Sequence, residues 1–453
     1  MGRTIVAEEA IDVYINSLYA KNPWLIGLVV GQVTPQKDYV VQLIKSPPQG
    51  TDDDTKRKGK MTKPNSLENI DEQWIAMHAK QVLRMLPGGL DILGVFALGT
   101  SDMLKSAQAK LRQTVFAVHR AVCKSQQVLT TDSQSTDRVI LHICSTTRKS
   151  TCRTIDVADN KSTLKPAEWK LQAFLDRWHV LHTKVGLNLN IPVQKNSTQN
   201  INKQLQSGIK PFCTGIWSCM GTIGNQILDT SSALDTSSPP KKTKQKSSQV
   251  STERSSFNVG LLLKHRKSAD KPGITRTECG AMMSLRGTMT CRGYVHNKAT
   301  VGEALQAVKT DVLRSLAARC ELLAEEVGQT EEDQDPKVLY ETPRRVFSKE
   351  LDHSLSYCDY VFPDETSQDI LERFSELLDT NMTEEQLDLM EELLPSDDDL
   401  VKPEKRRREV STSSSQKSLS STSKSFNMEI GAVIGAAIAT IAAGVSYMYL
   451  GAE

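Results

Sequence analysis

From Ile430 to Leu450 the chain reads IGAVIGAAIATIAAGVSYMYL, about 21 residues without a charge, enough to cross a hydrocarbon core of ~30 Å at ~1.5 Å per residue. Only Gly451, Ala452 and Glu453 follow it. A span so placed leaves the ribosome after translation ends, so the expectation is a tail anchor, residues 430–450. The alternative is a buried apolar helix of a soluble domain. Lys402, Lys405, Arg406, Arg407, Arg408, Lys417 and Lys424 precede the span and no Lys or Arg follows it. The positive-inside rule then places the long N-terminal part in the cytosol, with Lys405–Arg408 as the topogenic flank. That flank also suits contact with anionic headgroups of the bilayer. Gly431, Gly435, Ala439 and Ala443 recur every fourth residue, a small-residue seam that lets another helix approach closely.

Net charge is +2 over 453 residues, so no whole-chain attraction to nucleic acid is expected. Nine scattered cysteines without a Cys-x-x-Cys read as reduced cytosolic thiols. No apolar secretory leader lies near Met1. His179 and His182 have no partner at ligand spacing, so neither a metal nor another cofactor is expected.

Periodicity predicts a strand hairpin over 25–32 and 39–44, a helix over 71–86 closed by Pro87-Gly88-Gly89, a buried strand over 90–98 and a helix over 103–122. Strands follow at 138–144 and 152–157. Alternation at Val185, Leu187, Leu189 and Ile191 predicts a strand with one wet face. Two strands joined at Gly287 are expected over 280–296. A long helix over 300–326 buries Val301, Ala304, Leu305, Val308, Val312, Leu316 and Leu323, with Asp311, Arg314 and Arg319 among the residues expected outside. Val346–Phe347 and Tyr357–Phe362 read as edge strands.

The fold class is therefore α+β, with a sheet-and-helix sandwich, a second α+β region, flexible linkers and one C-terminal transmembrane helix. The divisions are residues 1–160, a first domain; 161–193, a connecting strand and helix region; 194–256, a disordered Ser/Thr/Lys-rich loop; and 257–365, a second domain. Residues 366–400 form acidic amphipathic helices, suited to a partner or packed at home. Residues 401–429 form a basic, Ser-rich tether.

The order hairpin, helix, then PGGL-x-I-L-G-V-F resembles the MPN fold of the JAB1/deubiquitinase superfamily over roughly 25–157. Metalloprotease members hold zinc with a His-x-His pair, then a Ser and an Asp. The matching positions here are Ala97, Gly99, Ala107 and Lys110. The resemblance thus implies a pseudoenzyme-type module that serves for pairing, with Val95, Phe96 and Leu98 as the candidate partner surface. Gly2-Arg3-Thr4, Gln32-x5-Asp38-Tyr39-Val40, Arg84-Met85-Leu86-Pro87-Gly88-Gly89-Leu90, Leu141-His142-Ile143-Cys144 and Cys291-Arg292-Gly293-Tyr294-Val295-His296, with the anchor, are similar to the ODR-4 family. That resemblance implies a single-pass endoplasmic-reticulum protein with a lumenal C-terminus. It implies help in the maturation and trafficking of odorant-type G-protein-coupled receptors, and a UFM-specific cysteine protease as partner. It carries no catalytic residues.

The expected function is a non-enzymatic membrane adaptor. The competing classes are an MPN-type or thiol hydrolase, which lacks its ligands or nucleophile motif, and a tail-anchored trafficking or fusion factor. The last needs sustained heptads where the polar tether stands.

Overall fold

Short β-branched runs punctuated by turn residues build the first sheet. The computed structural model describes residues 2–19, 23–48, 66–125, 135–194, 197–234, 254–263, 279–329, 342–350 and 355–389. The chain opens with β1 (Thr4–Ala7) and α1 (Ala10–Leu18), then the expected hairpin as β2 (Leu25–Val33) and β3 (Lys37–Lys45). α2 (Glu72–Met85) starts at Asp71, whose side chain accepts the Gln73 N–H, and stops before Pro87. β4 (Asp91–Gly99) follows. The helix expected over 103–122 is two, α3 (Ser101–Ser106) and α4 (Gln108–Ser125), which meet at Ala107. β5 (Asp137–Cys144), β6 (Ser150–Asp156), β7 (Lys165–Pro166) and β8 (Glu168–Leu171) complete the sheet.

Its strand order is β7-β6-β5-β4-β2-β3-β1-β8. The two edges, β7 and β8, are separated in sequence by Ala167 alone. The Ala167 N–H donates to Cys152 O at 3.1 Å, and the Glu168 N–H donates to Arg3 O at 3.0 Å. One residue thus ties the edges together and the sheet curls shut. One face packs on Ile11, Ile15 and Leu18 of α1, with Val29, Leu93, Phe96 and Leu141. The other packs on α2 and α4 through Leu28, Ala79, Val82, Val95, Leu111 and Val118.

β9 (His179–Val193), α5 (Ile201–Ser218), β10 (Met220–Ile223), β11 (Ser256–Leu262), β12 (Ala281–Val295) and α6 (Val301–Gln329) form the second layer. Its sheet runs β10-β11-β9-β12. The predicted alternation on β9 holds: Val185, Leu187 and Ile191 pack with Leu205, Ile209 and Ile216 of α5 and Leu313 and Leu316 of α6. Two expectations change. The stretch expected to be disordered contains α5 and β10. The two strands expected around Gly287 are one, because that residue, at φ +124°, is accommodated inside an unbroken register from Ala281 to Val295.

α6 starts with the expected capping box, in which the Thr300 N–H reaches Glu303 Oε2 at 2.7 Å and the Glu303 N–H reaches Thr300 Oγ1 at 3.2 Å. Its hydrophobic stripe is buried as expected. Asp311, Arg314 and Arg319 are buried too, not outside. The helix lies between layers, and each of the three meets a partner there. Arg345 grips Asp311 with two bonds of 2.7 and 2.8 Å, Arg314 donates to Leu90 O at 3.1 Å, and Arg319 donates to Pro343 O.

β13 (Arg344–Ser348), β14 (Cys358–Val361), α7 (Ser367–Leu378) and β15 (Leu387–Asp388) end the described chain. β13 lies between β14 and β15, so of the two expected edge strands only β14 is one. Ile370, Phe374 and Leu378 of α7 join the core of the first sheet, so this helix packs at home; the second expected helix is replaced at Leu387–Asp388 by β15, which pairs with β13, and residues 390–400 lie outside the described residues. The described residues all belong to one compact unit, residues 1–49 and 63–394. The 401–429 tether with Lys405–Arg408, the 430–450 span and its Gly431, Gly435, Ala439 and Ala443 seam lie outside the described residues.

Candidate functional site

β4 is an interior strand, and its side chains meet packed residues on both faces. Val95, Phe96, Ala97 and Leu98 have no exposed area. Val95, Phe96 and Leu98 are therefore core residues rather than a partner surface. A run that is apolar on every position reads alike whether it faces a partner or is covered on both sides. Gly99 ends the strand, and a Cβ there would meet only Leu67, Met103 and Trp24 at 3.4–3.8 Å. Ala107 is buried at the α3–α4 break, while Lys110 forms an ion pair with Glu72, whose carboxyl it holds below its usual range. Among the described residues no group of three His, Cys, Asp or Glu is placed to hold a metal ion. Beside these positions lies an apolar groove of about 260 Å³, walled by Trp24, Pro47, Ile70, Trp74 and Ile75.

The sequence motifs converge elsewhere. Arg3 clamps Asp38 with two bonds of 2.6 Å and donates to Thr34 O at 2.7 Å, which fixes β1 against the β2–β3 turn. Gly88 and Gly293 form a parallel bridge, with the Gly88 N–H to Arg292 O and the Tyr294 N–H to Gly88 O, both at 2.9 Å. Gly89 sits at φ +82°, and a Cβ there would lie 2.1 Å from Tyr294 O. The Gln32 amide nitrogen donates to Gly89 O and Tyr294 O at 3.0 Å, and its oxygen accepts the His296 N–H at 3.1 Å. Arg84 reaches Glu321 at 3.0 Å and Glu325 at 3.3 Å on α6. Gly88, Gly89, Gln32 and Arg84 thus join the first sheet to the second, while Arg3 and Asp38 tie strands within the first.

Beyond the joint opens a polar pocket of about 320 Å³, lined by Val180, His182, Arg254, Ser256, Arg292, Lys349, Glu350 and Asp388. Tyr294 donates its hydroxyl to Glu350, and burial and that carboxylate push its phenol up, so it remains a donor at neutral pH. Arg254 lies 3.3 Å from Glu350, and Arg292 lies 3.8 Å from Asp388 and donates to Ser356 Oγ at 2.8 Å. Burial lowers His182, so it is neutral at physiological pH. Three cations against two carboxylates favour an anionic or zwitterionic group. Sequence spacing did not find this pocket. Its residues are spread from Val180 to Asp388, and Arg292 within Cys291–His296 was the single pointer.

A closed mixed sheet and a second sheet carried on a buried central helix define an α+β protein. The family profile described as "ODR4-like: Odorant response abnormal 4-like" matches residues 27–389. The mouse "Protein odr-4 homolog" is 33% identical over 458 residues, covering 99% of each chain. The Xenopus laevis "Protein odr-4 homolog" is 34% identical over 466 residues, covering 99% of this chain and 100% of that one. The chain belongs to the ODR4-like family. A solved structure, "Crystal structure of UfSP from C.elegans", aligns with a TM-score of 0.43 at 9% identity over 84% of this chain and 57% of that chain, too loose a likeness to bear on function.

Proposed function

We propose that the chain is a non-enzymatic, tail-anchored adaptor of the endoplasmic-reticulum membrane. It promotes maturation and trafficking of odorant-type G-protein-coupled receptors and recruits a UFM-specific cysteine protease to that membrane. The observation that carries the reading is the set Ala97, Gly99, Ala107 and Lys110. Two of these are core alanines, one is a strand-end glycine and the last is ion-paired to Glu72, so the set offers a scaffold in place of a zinc site. The words "odorant response" in the family's description agree with a receptor-linked role. The anchor rests on the uncharged run 430–450 and its basic flank. Among the described residues no helix is long and apolar enough to cross a membrane, so the span has to be tested directly.

The test is affinity purification of the full chain from detergent-solubilised membranes, beside a form ending at Met428. Recovery of the protease with both forms, and membrane fractionation of the full chain alone, is the expected result. Absence of the protease from both removes it as the partner. Membrane fractionation of the shorter form to the same extent removes the anchor.

A further inference from the structure

The polar pocket between the second sheet and the β13–β15 ladder has a neutral floor and a charged wall. Register sets the floor. Val180 stands opposite Ser256 and His182 opposite Arg292, so Val180, His182 and Ser256 share one face of β9 and β11. The wall comes from β13 and β15. Phe347 pairs with Asp388, and the Lys349 N–H continues the ladder to Gln386 O at 2.7 Å. Lys349 and Asp388 are therefore diagonal neighbours on one face, with Cβ atoms roughly 7 Å apart. The charges of the pocket are unevenly engaged. Glu350 is taken on both oxygens, by Arg254 at 3.3 Å and by the Tyr294 hydroxyl. Arg254 is held by Glu350 and Arg292 by Ser356, so both arginines shape the walls. The Lys349 ammonium gives one N–H to Glu385 O at 2.6 Å and carries two more. Arg292 stands 3.8 Å from the Asp388 carboxylate, beyond hydrogen-bond reach. Among the described residues no hydrogen bond reaches that carboxylate, the Ser256 hydroxyl or the His182 ring. Open to a ligand are thus an ammonium, a carboxylate and a pair of neutral hydrogen-bonding groups.

We infer that this pocket binds an α-amino acid as its zwitterion, with the carboxylate on Lys349, the ammonium on Asp388 and a polar, uncharged side chain on Ser256 and His182. The carboxylate and ammonium of an amino acid are separated by one carbon. A charge-assisted bond of ~2.8 Å at each end lets a molecule of that size bridge two side chains rooted roughly 7 Å apart. A simple anion would leave Asp388 facing it with a like charge, and a simple cation would do the same to Lys349. A volume of about 320 Å³ lies at the small end for ligand sites, which suits a single amino acid rather than a nucleotide. The site belongs to the body of the chain and depends neither on the anchor nor on the protease named above.

The experiment titrates the full chain, held in mild detergent, with L-glutamine by isothermal calorimetry. Beside it run glutaramic acid, which lacks the ammonium, L-glutaminamide, which lacks the carboxylate, and inorganic phosphate. Expected is binding of L-glutamine at least about tenfold tighter than that of the other three, with a loss of at least about tenfold in Lys349→Met and in Asp388→Asn while the melt stays unchanged. If Asp388→Asn melts early, the exposed Lys349 decides through a second variant. Lys349→Glu is expected to lose L-glutamine and to bind L-glutaminamide better than the parent does, which a merely structural role for Lys349 would not produce. No heat with millimolar L-glutamine, equal binding of glutaramic acid or L-glutaminamide, or equal binding by folded variants and parent overturns the inference. Phosphate binding tighter than L-glutamine also overturns it, and makes the pocket an anion site.

Discussion

The Gln32 side-chain amide donates to the backbone carbonyl of Tyr294 at 3.0 Å, across 262 positions of sequence. The same side chain satisfies Gly89 O and the His296 N–H. Gln32→Leu keeps the volume and removes all three bonds, leaving buried backbone groups without a partner. The expected cost is about 3 kcal/mol. Urea unfolding followed by circular dichroism measures it, and an unchanged midpoint contradicts the role of Gln32 as the joint.

Asp311 and Arg345 form a buried ion pair, with side chains 0% and 1% exposed. Removing the carboxylate in Asp311→Ala leaves Arg345 charged in the interior and frees the Arg292 N–H that Asp311 accepts at 2.9 Å. A loss of about 3–5 kcal/mol is expected. The double variant Asp311→Leu with Arg345→Met is expected to recover most of it, because neither buried charge then remains. Thermal melts of the three proteins decide.

Phe96→Asp separates a core strand from a docking surface. Phe96 is 0% exposed between β2 and β5, so a carboxylate there costs more than about 4 kcal/mol through lost packing and unpaired charge. The variant is expected to lose its cooperative melt. A normally melting Phe96→Asp protein would return β4 to the surface.

His78 supplies a pH dependence. Its Nε2–H donates to Leu377 O at 2.9 Å and its Nδ1 accepts from the Ser46 hydroxyl at 3.0 Å, so the ring is held neutral between α2, β3 and α7. Burial lowers it from 6.5 to about 4, against the Leu377 bond. The unfolded chain therefore takes up a proton first. The contribution is present above about pH 6.5 and is lost as pH falls towards about 4, amounting to about 3 kcal/mol in full. His142, lowered by burial to about 4, acts in the same direction. The melting temperature is expected to drop between about pH 7 and about pH 4.5, and to drop less steeply in His78→Gln.

The elements that sequence periodicity reveals are those whose partners are uniform. α2 and β9 carry apolar residues at one period against one apolar layer, β2 and β3 are apolar runs covered on both faces, and the structure has all four where the spacing puts them. α6 defeats the same reasoning. Its apolar stripe is real, but Asp311, Arg314 and Arg319 are buried by partners at Arg345, Leu90 and Pro343 that no local pattern announces. α5 was readable. Leu205, Ile209, Cys213 and Ile216 lie on one helical face behind an Asn200 cap whose side chain accepts the Lys203 N–H. Gly208 and Pro211 masked it, since both weigh against a helix interior. The Ala97, Gly99, Ala107 and Lys110 positions could be named from motif alignment, but whether β4 met a partner or its own core could not. The polar pocket needed four strands, β9, β11, β12 and β15, from two sheets before it existed.

Ala167 has a consequence for the order in which the nascent chain can fold. β1 lies between β3 and β8, with Thr4 paired to both Lys37 and Glu168. The strand that leaves the ribosome first therefore waits for the last strand of its sheet. The α7 helix that covers His78 emerges some two hundred residues later still, and Tyr357 must arrive before Gln42 is satisfied. Vectorial synthesis thus leaves the apolar strands β2 and β4 in an open sheet until Leu171 has emerged. Closure is a late event, and holding chaperones have a long interval in which to engage this chain before it is complete.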